Sequence, residues 1–132
     1  SKDWAYSGKY SLKLNSKNQF GLEYSVYNPQ PGEVYKATVW VHRPNKEGGA
    51  IVASSPNEGK SLYVASHETK RRHIAWELLE IRVVVPHDYD RNSIVFYLYN
   101  TTKNVYFDDF TIEKIKNWDN EDYMDKSPHP TR

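Results

Sequence analysis

Apolar and polar residues alternate one by one through much of this chain. In Tyr35-Lys36-Ala37-Thr38-Val39-Trp40-Val41-His42, one face carries Tyr35, Ala37, Val39 and Val41. The other carries Lys36, Thr38, Trp40 and His42. A period of two is the signature of a strand buried on one side. Residues 94–99 repeat it, with Ile94, Phe96 and Leu98 on the expected core face. Residues 51–54 and 61–66 read as short strands around the turn Pro56-Asn57-Glu58-Gly59, and residues 7–14 and 105–112 as strands near the two ends. Pro31-Gly32 and Pro44-Asn45 punctuate the chain as turns. In residues 77–85 the apolar parity changes between Leu78 and Ile81, which predicts a β-bulge. Residues 70–73 and 87–92 read as solvated loops, and no stretch has a helical period. Short strands at this spacing predict an all-β sandwich or barrel. Trp76, Val83, Val85, Phe96, Leu98 and Phe107 are its expected core. The pattern stops after β-like residues 105–116, so residues 1–116 form one expected domain and 117–132 a tail or linker.

Several of these segments also resemble a known family. They are Ser-Gly-Lys-Tyr-Ser-Leu-Lys-Leu at 7–14, Pro-Gly-Glu-Val-Tyr at 31–35 with its alternating strand, Trp76 ahead of Val83-Val84-Val85-Pro86, and Tyr-Phe-Asp-Asp-Phe at 106–110. In this order, across about positions 5 to 115, the chain is similar to the non-catalytic carbohydrate-binding modules of secreted glycan-degrading enzymes. The resemblance implies a jelly-roll β-sandwich of two antiparallel sheets, galactose-binding-like, that binds a polysaccharide or oligosaccharide as one domain of a larger secreted or cell-surface protein. Modules of this kind begin with a further stretch of strand. Little precedes residue 7 here, which predicts either a fragment or a shortened variant. The resemblance also implies a structural calcium ion (Ca2+) where the first and last strands meet, with Asp108 or Asp109 as ligand and backbone oxygens around Lys9, and Asp3, completing it. Calcium takes six to eight such oxygens. Alternation lets only one of the two carboxylates face the site, which favours Asp108. The bland reading is that one carboxylate caps a turn and the other faces water.

Composition sharpens this in one respect. The chain holds 11 Tyr, 4 Trp and 4 Phe among 132 residues, and Tyr and Trp suit surfaces that are half apolar and half wet. Trp40, Tyr97 and Tyr99 fall on the non-core faces of their strands. A pyranose ring can stack its C–H face on such aromatics, and His42, Arg82, Thr38 and Lys36 are the expected hydrogen-bonding partners for its hydroxyls. The same aromatics could instead pack under a loop or pair across strands. In that case the domain is a structural or protein-interaction unit of a larger assembly.

The remaining chemistry mostly excludes. A net charge of +1 gives no field that would draw nucleic acid or a membrane surface, and no apolar run is long enough to cross a bilayer. Without cysteine there is no disulfide or zinc–thiolate site. The five histidines lack a compact metal-ligand spacing, and neither a Gly-x-Ser-x-Gly elbow nor a Gly-rich phosphate loop is present. The one close carboxylate pair alternates across a strand, so it could not flank one glycosidic bond, and no enzyme is expected. Lys70-Arg71-Arg72-His73 could grip acidic sugars, but its expected role is a solvated loop. Asn100-Thr101-Thr102 is a formal glycosylation sequon.

Overall fold

The computed structural model describes residues 12–14, 20–56 and 61–115. Among the described residues nine strands run in chain order: β1 (Leu12–Leu14), β2 (Phe20–Tyr27), β3 (Val34–His42), β4 (Ala50–Ser54), β5 (Tyr63–Ser66), β6 (Arg71–His73), β7 (Trp76–Val84), β8 (Ser93–Tyr99) and β9 (Val105–Ile115). They form a five-stranded sheet in the order β1-β9-β3-β7-β6 and a four-stranded sheet in the order β2-β8-β4-β5. Every pairing is antiparallel. This is the expected β-sandwich, and its first and last described strands meet as expected, Leu12 opposite Phe107.

Alternation builds the core. From one sheet come Tyr35, Ala37, Val39, Val41, Leu79, Ile81 and Phe107, and from the other Ile51, Ala53, Ile94, Phe96 and Leu98. Tyr35 and Phe96 meet edge to face across the layers, their centroids 6.5 Å apart. All six expected core residues are buried, although Trp76 belongs to a different cluster.

Local chemistry sets the ends of the strands. Pro31 and Gly32 (φ +86°) occupy the centre of a turn closed by Glu33 N–H donating to the Gln30 carbonyl at 3.0 Å. At the other end of the sandwich, Gly48 passes so close to the Asn100 and Thr102 side chains that no Cβ fits, and Gly49 holds a φ of +82°. A Cβ on Gly48 would stand 2.0 Å from Thr102 Oγ1. Asn100, 1% exposed, locks this corner. Its Oδ1 accepts from Gly49 N–H at 3.1 Å and Thr102 Oγ1 at 2.8 Å, while its Nδ2 donates to the Lys103 carbonyl at 2.9 Å. The sequon asparagine is therefore a buried structural residue. Arg43 ties the same end together, its Nε donating to the Gly48 carbonyl at 2.7 Å and its guanidinium pairing with Glu77 at 3.1 Å.

Three local expectations are corrected. The bulge expected in residues 77–85 is absent, because β3 and β7 pair without a break from Val34↔Val84 to Val41↔Glu77. Leu78 and Leu79 are both buried because both faces of β7 are covered, Leu79 in the core and Leu78 on the outer side. Register shifts occur elsewhere: in β2 between Gly21 and Tyr24, and between β3 and β9 at Thr38/Trp40. The second lies beside Asp109, which has a φ of +60°. Strict alternation therefore fails at the acidic pair, and with it the inference that its carboxylates lie on opposite faces. Finally, β2 and β6 were not expected as strands. The bulge hides the period of β2, and β6 is a three-residue charged edge strand, the sort of edge that discourages further pairing. Residues 70–73 are thus not a free loop.

Candidate binding surfaces

Each sheet turns one face to the core and one outward, so the two outer faces lie on opposite sides of layers packed about 10 Å apart. The expected ligand-binding set divides between them. Trp40, His42 and Arg82 lie on the outer face of the five-stranded sheet, and Tyr97 and Tyr99 on that of the four-stranded sheet. No single flat ligand touches all five. Alternation along each strand was read correctly, but alternation cannot say which strands share a sheet.

The outer face of the five-stranded sheet is aromatic at one end and charged at the other. Trp40 points outward as expected, yet it is only 1% exposed, clustered with Trp76, Leu78 and Tyr106. His42 is buried beside them, 5.7 Å from the Trp76 ring and 6.0 Å from the Tyr106 ring. Its Nδ1 lies 3.0 Å from the Ala75 carbonyl. A carbonyl only accepts, so this nitrogen carries the proton. Toward the other end, Thr38 and Thr111 hydroxyls meet at 2.7 Å. Beyond them the Glu80 carboxylate is reached by Arg82 Nε at 2.9 Å, Lys70 Nζ at 3.4 Å and Lys36 Nζ at 3.7 Å.

Asp108 stands opposite Trp40 across β3 and β9 and is half-buried. The other two residues expected at the calcium site, Lys9 and Asp3, lie outside the described residues. Among the described residues, no group of three or more histidines and carboxylates could hold a metal ion. Among the described residues, Asp108 and the adjacent Asp109 are the carboxylates of this region.

The outer face of the four-stranded sheet is built differently. The outward positions of β4 are the small residues Ala50, Val52 and Ser54, the last two buried between β8 with Val95, Tyr97 and Tyr99 and β5 with Tyr63 and Ala65. Small side chains along the middle leave the tyrosines as the relief of this face. Tyr63 is 61% exposed, and Tyr97 and Tyr99 are half-buried. Tyr27 of β2 lies further along, 74% exposed. Burial holds the Tyr97 phenol above its ordinary pKa, neighbouring Tyr63 adds to this, and a hydrogen bond with the Ser54 side chain opposes it. Sequence reasoning missed Tyr63 and Tyr27. Tyr63 did lie in an expected strand, and its alternation with Val64 was the available signal.

No family model and no curated protein matches the chain. Its fold does match solved structures. The CBM22-1 xylan-binding domain from Paenibacillus barcinonensis Xyn10C superposes with a TM-score of 0.56 at 19% identity, over 89% of this chain and 80% of that one. A family 16 carbohydrate-binding module gives 0.51 at 15% identity, over 82% and 79%. A CBM4 structure gives 0.52 at 13% identity, covering 70% of this chain and 59% of that one, so the chain spans about three fifths of its length. At these identities the likeness shows the fold, which is the jelly-roll sandwich of carbohydrate-binding modules.

Proposed function

We propose that this domain binds carbohydrate without cleaving it, through the tyrosines on the outer face of the four-stranded sheet. One observation carries the reading: Tyr63, Tyr97 and Tyr99 stand on one outward sheet face, on the strands either side of the small residues of β4. Tyr63 is exposed and Tyr97 and Tyr99 half-buried beside it, and accessible aromatic surface gathered on one face marks a binding surface. Tyrosine suits a sugar, since its ring stacks on the C–H face of a pyranose while its hydroxyl bonds at the rim. The hydroxyl of the exposed Tyr63 supplies a further polar contact. The fold likeness supports the same reading, because its solved relatives are carbohydrate-binding modules and one is a xylan-binding domain. The domain's role would then be to hold a larger secreted or surface-displayed glycan-active enzyme on its polymer. Tethering raises the enzyme's effective concentration there. The test is affinity electrophoresis through gels of neutral and acidic polysaccharides, comparing the wild type with Tyr63→Ala and Tyr97→Ala. Retardation by a polymer, lost in the variants at unchanged melting temperature, is the expected result. No retardation by any polymer overturns the reading.

A structural calcium ion with Asp108 among its ligands belongs to the same proposal. The pairing of β1 with β9 beside Asp108 supports it, and hard carboxylate and carbonyl oxygens are the chemistry calcium prefers. Its role would be to hold strands together, with no part in catalysis.

A second reading, a structural or docking domain, is favoured by the burial of Trp40. The largest aromatic expected to meet sugar is instead packed away.

A further inference from the structure

Strand β2 carries one residue too many beside Tyr97. Gly21 pairs with Leu98 and Tyr24 with Phe96, so Leu22 and Glu23 together stand opposite the single residue Tyr97. Two residues against one is a β-bulge. Leu98 and Phe96 point into the core, and Tyr24 turns the same way, its ring 5.8 Å from that of Phe110. The two residues between the inward positions Gly21 and Tyr24 share the outward position of Tyr97. The Tyr97 phenol registers this. Burial is the main cause that raises its pKa, and the neighbouring Tyr63, Tyr99 and Glu23 add to it. Glu23 itself is exposed. The bulge is strained. Leu22 has a φ of +46°, in the left-handed region that a leucine rarely adopts, and it is 47% exposed, so burial gives little in return. Strained backbone and bulges gather at binding sites, where they re-aim a side chain.

We propose that this bulge makes Glu23 the selecting residue of the tyrosine surface: its carboxylate accepts hydroxyls of a neutral sugar lying against Tyr97 and turns away uronic-acid and sulfated glycans. The inference rests on the carbohydrate-binding reading and names the class of glycan. An ionised carboxylate only accepts, through two oxygens. It therefore matches two neighbouring hydroxyls of a pyranose, each donating a charge-assisted hydrogen bond. The same charge repels a carboxylate or sulfate on the ligand, and such repulsion is what discriminates between partners. The sheet order β2-β8-β4-β5 puts Glu23 and Tyr63 on the two outer strands, with Tyr97 between them. Three strand spacings are about 14 Å. An oligosaccharide lying across the strands thus meets Glu23 at one end and Tyr63 at the other.

The experiment is affinity electrophoresis of the wild type, Tyr63→Ala, Glu23→Gln and Glu23→Asp in gels of arabinoxylan and galactomannan, which are neutral, of polygalacturonate, a polyanion, and of glycol chitosan, a polycation. The wild type should be retarded by a neutral polymer and not by polygalacturonate. Glu23→Gln should weaken neutral binding about tenfold, as loss of a charge-assisted hydrogen bond does, and should admit polygalacturonate. Glu23→Asp keeps the charge on a shorter arm, so it should weaken neutral binding and still exclude polygalacturonate. Because Glu23 is exposed, both variants should melt as the wild type does, which a thermal melt of each checks. Neutral binding by Glu23→Gln equal to that of the wild type overturns the inference. So does retardation of the wild type by polygalacturonate as strong as by a neutral polymer. In both cases the tyrosine reading stands if Tyr63→Ala loses binding. Retardation by glycol chitosan alone also overturns the inference, by making Glu23 the partner of an amino group. No retardation of the wild type in any gel removes the tyrosine reading and this inference together.

Discussion

The two outer faces of this sandwich use the same residue types to opposite ends. On the five-stranded sheet, Trp40, Trp76, Leu78 and Tyr106 form a second buried cluster, with His42 packed among the rings. On the four-stranded sheet, aromatics of the same outward parity stay accessible, up to Tyr63 and Tyr27. An aromatic on a non-core face is therefore not by itself a binding residue. What lies over it decides. A covered ring contributes to stability like any core side chain, and an open one is available to a ligand.

The sharpest way to break this contrast is truncation. Phe96→Ala in the inter-sheet core should cost about 3–5 kcal/mol, and Trp40→Ala on the outer face should cost a similar amount. Denaturant unfolding measures both. A cost for Trp40→Ala below about 1 kcal/mol would mean that the outer cluster is loose and that Trp40 is accessible after all.

Calcium would set the five-stranded face further apart, since Asp108 lies only there. If the ion binds, saturation at about 100 times its Kd adds about 2.7 kcal/mol of stability. Thermal melts in calcium and in EDTA should then separate, and Asp108→Asn should bring them together. Coincident curves for the wild type argue against the ion.

On the four-stranded face the expectation reverses. Tyr63→Ala should leave stability within about 0.5 kcal/mol, as for an exposed surface change. It should weaken glycan binding by about 1–2 kcal/mol, or roughly 5- to 30-fold in Kd. Calorimetric titration and a melt on the same sample test both halves. A Tyr63→Ala variant that melts early while binding normally would invert the comparison.

An effect confined to alkaline pH concerns the layer between the faces. Burial pushes the Tyr35 phenol up to about 12, helped by its 2.9 Å hydrogen bond to Glu33. The folded state thus holds this proton more tightly than the unfolded chain does. The stabilisation is complete below the ordinary phenol pKa near 10 and is lost as pH rises from about 10 to 12. Tyr35→Phe should flatten that part of the stability–pH curve, read by unfolding at a series of alkaline pH values.

Much of the fold was legible from period alone. The inward rows of β3 and β8 and the predicted core residues other than Trp76, which is buried in the outer cluster, followed from alternation, because a strand with one wet face must alternate. Legibility ended where a face was neither core nor solvent. The Leu78-Leu79 pair read as a bulge because a sequence cannot show that both faces of β7 are covered. The true irregularity at Asp109 did leave a parity change, from Val105 and Phe107 to Phe110 and Ile112, and it went unread; the one at Gly21/Tyr24 hid the period of β2, where the residues are mostly exposed. β6 read as a loop because its residues are all polar and its place in the sheet comes from pairing with β7.

The sequence by itself determined that this chain is an all-β sandwich, which residues point into it, and that its chemistry is aromatic and polar, with no catalytic motif. Those properties are local and periodic, so neighbouring residues suffice to encode them. Only the tertiary structure decided that Trp40 and Tyr97 belong to opposite sides, that Asn100 is a buried lock, and that Lys36, Lys70 and Arg82 meet at Glu80. Each depends on which distant strands become neighbours. That is set by the packing of the whole sandwich, and no stretch of sequence contains it.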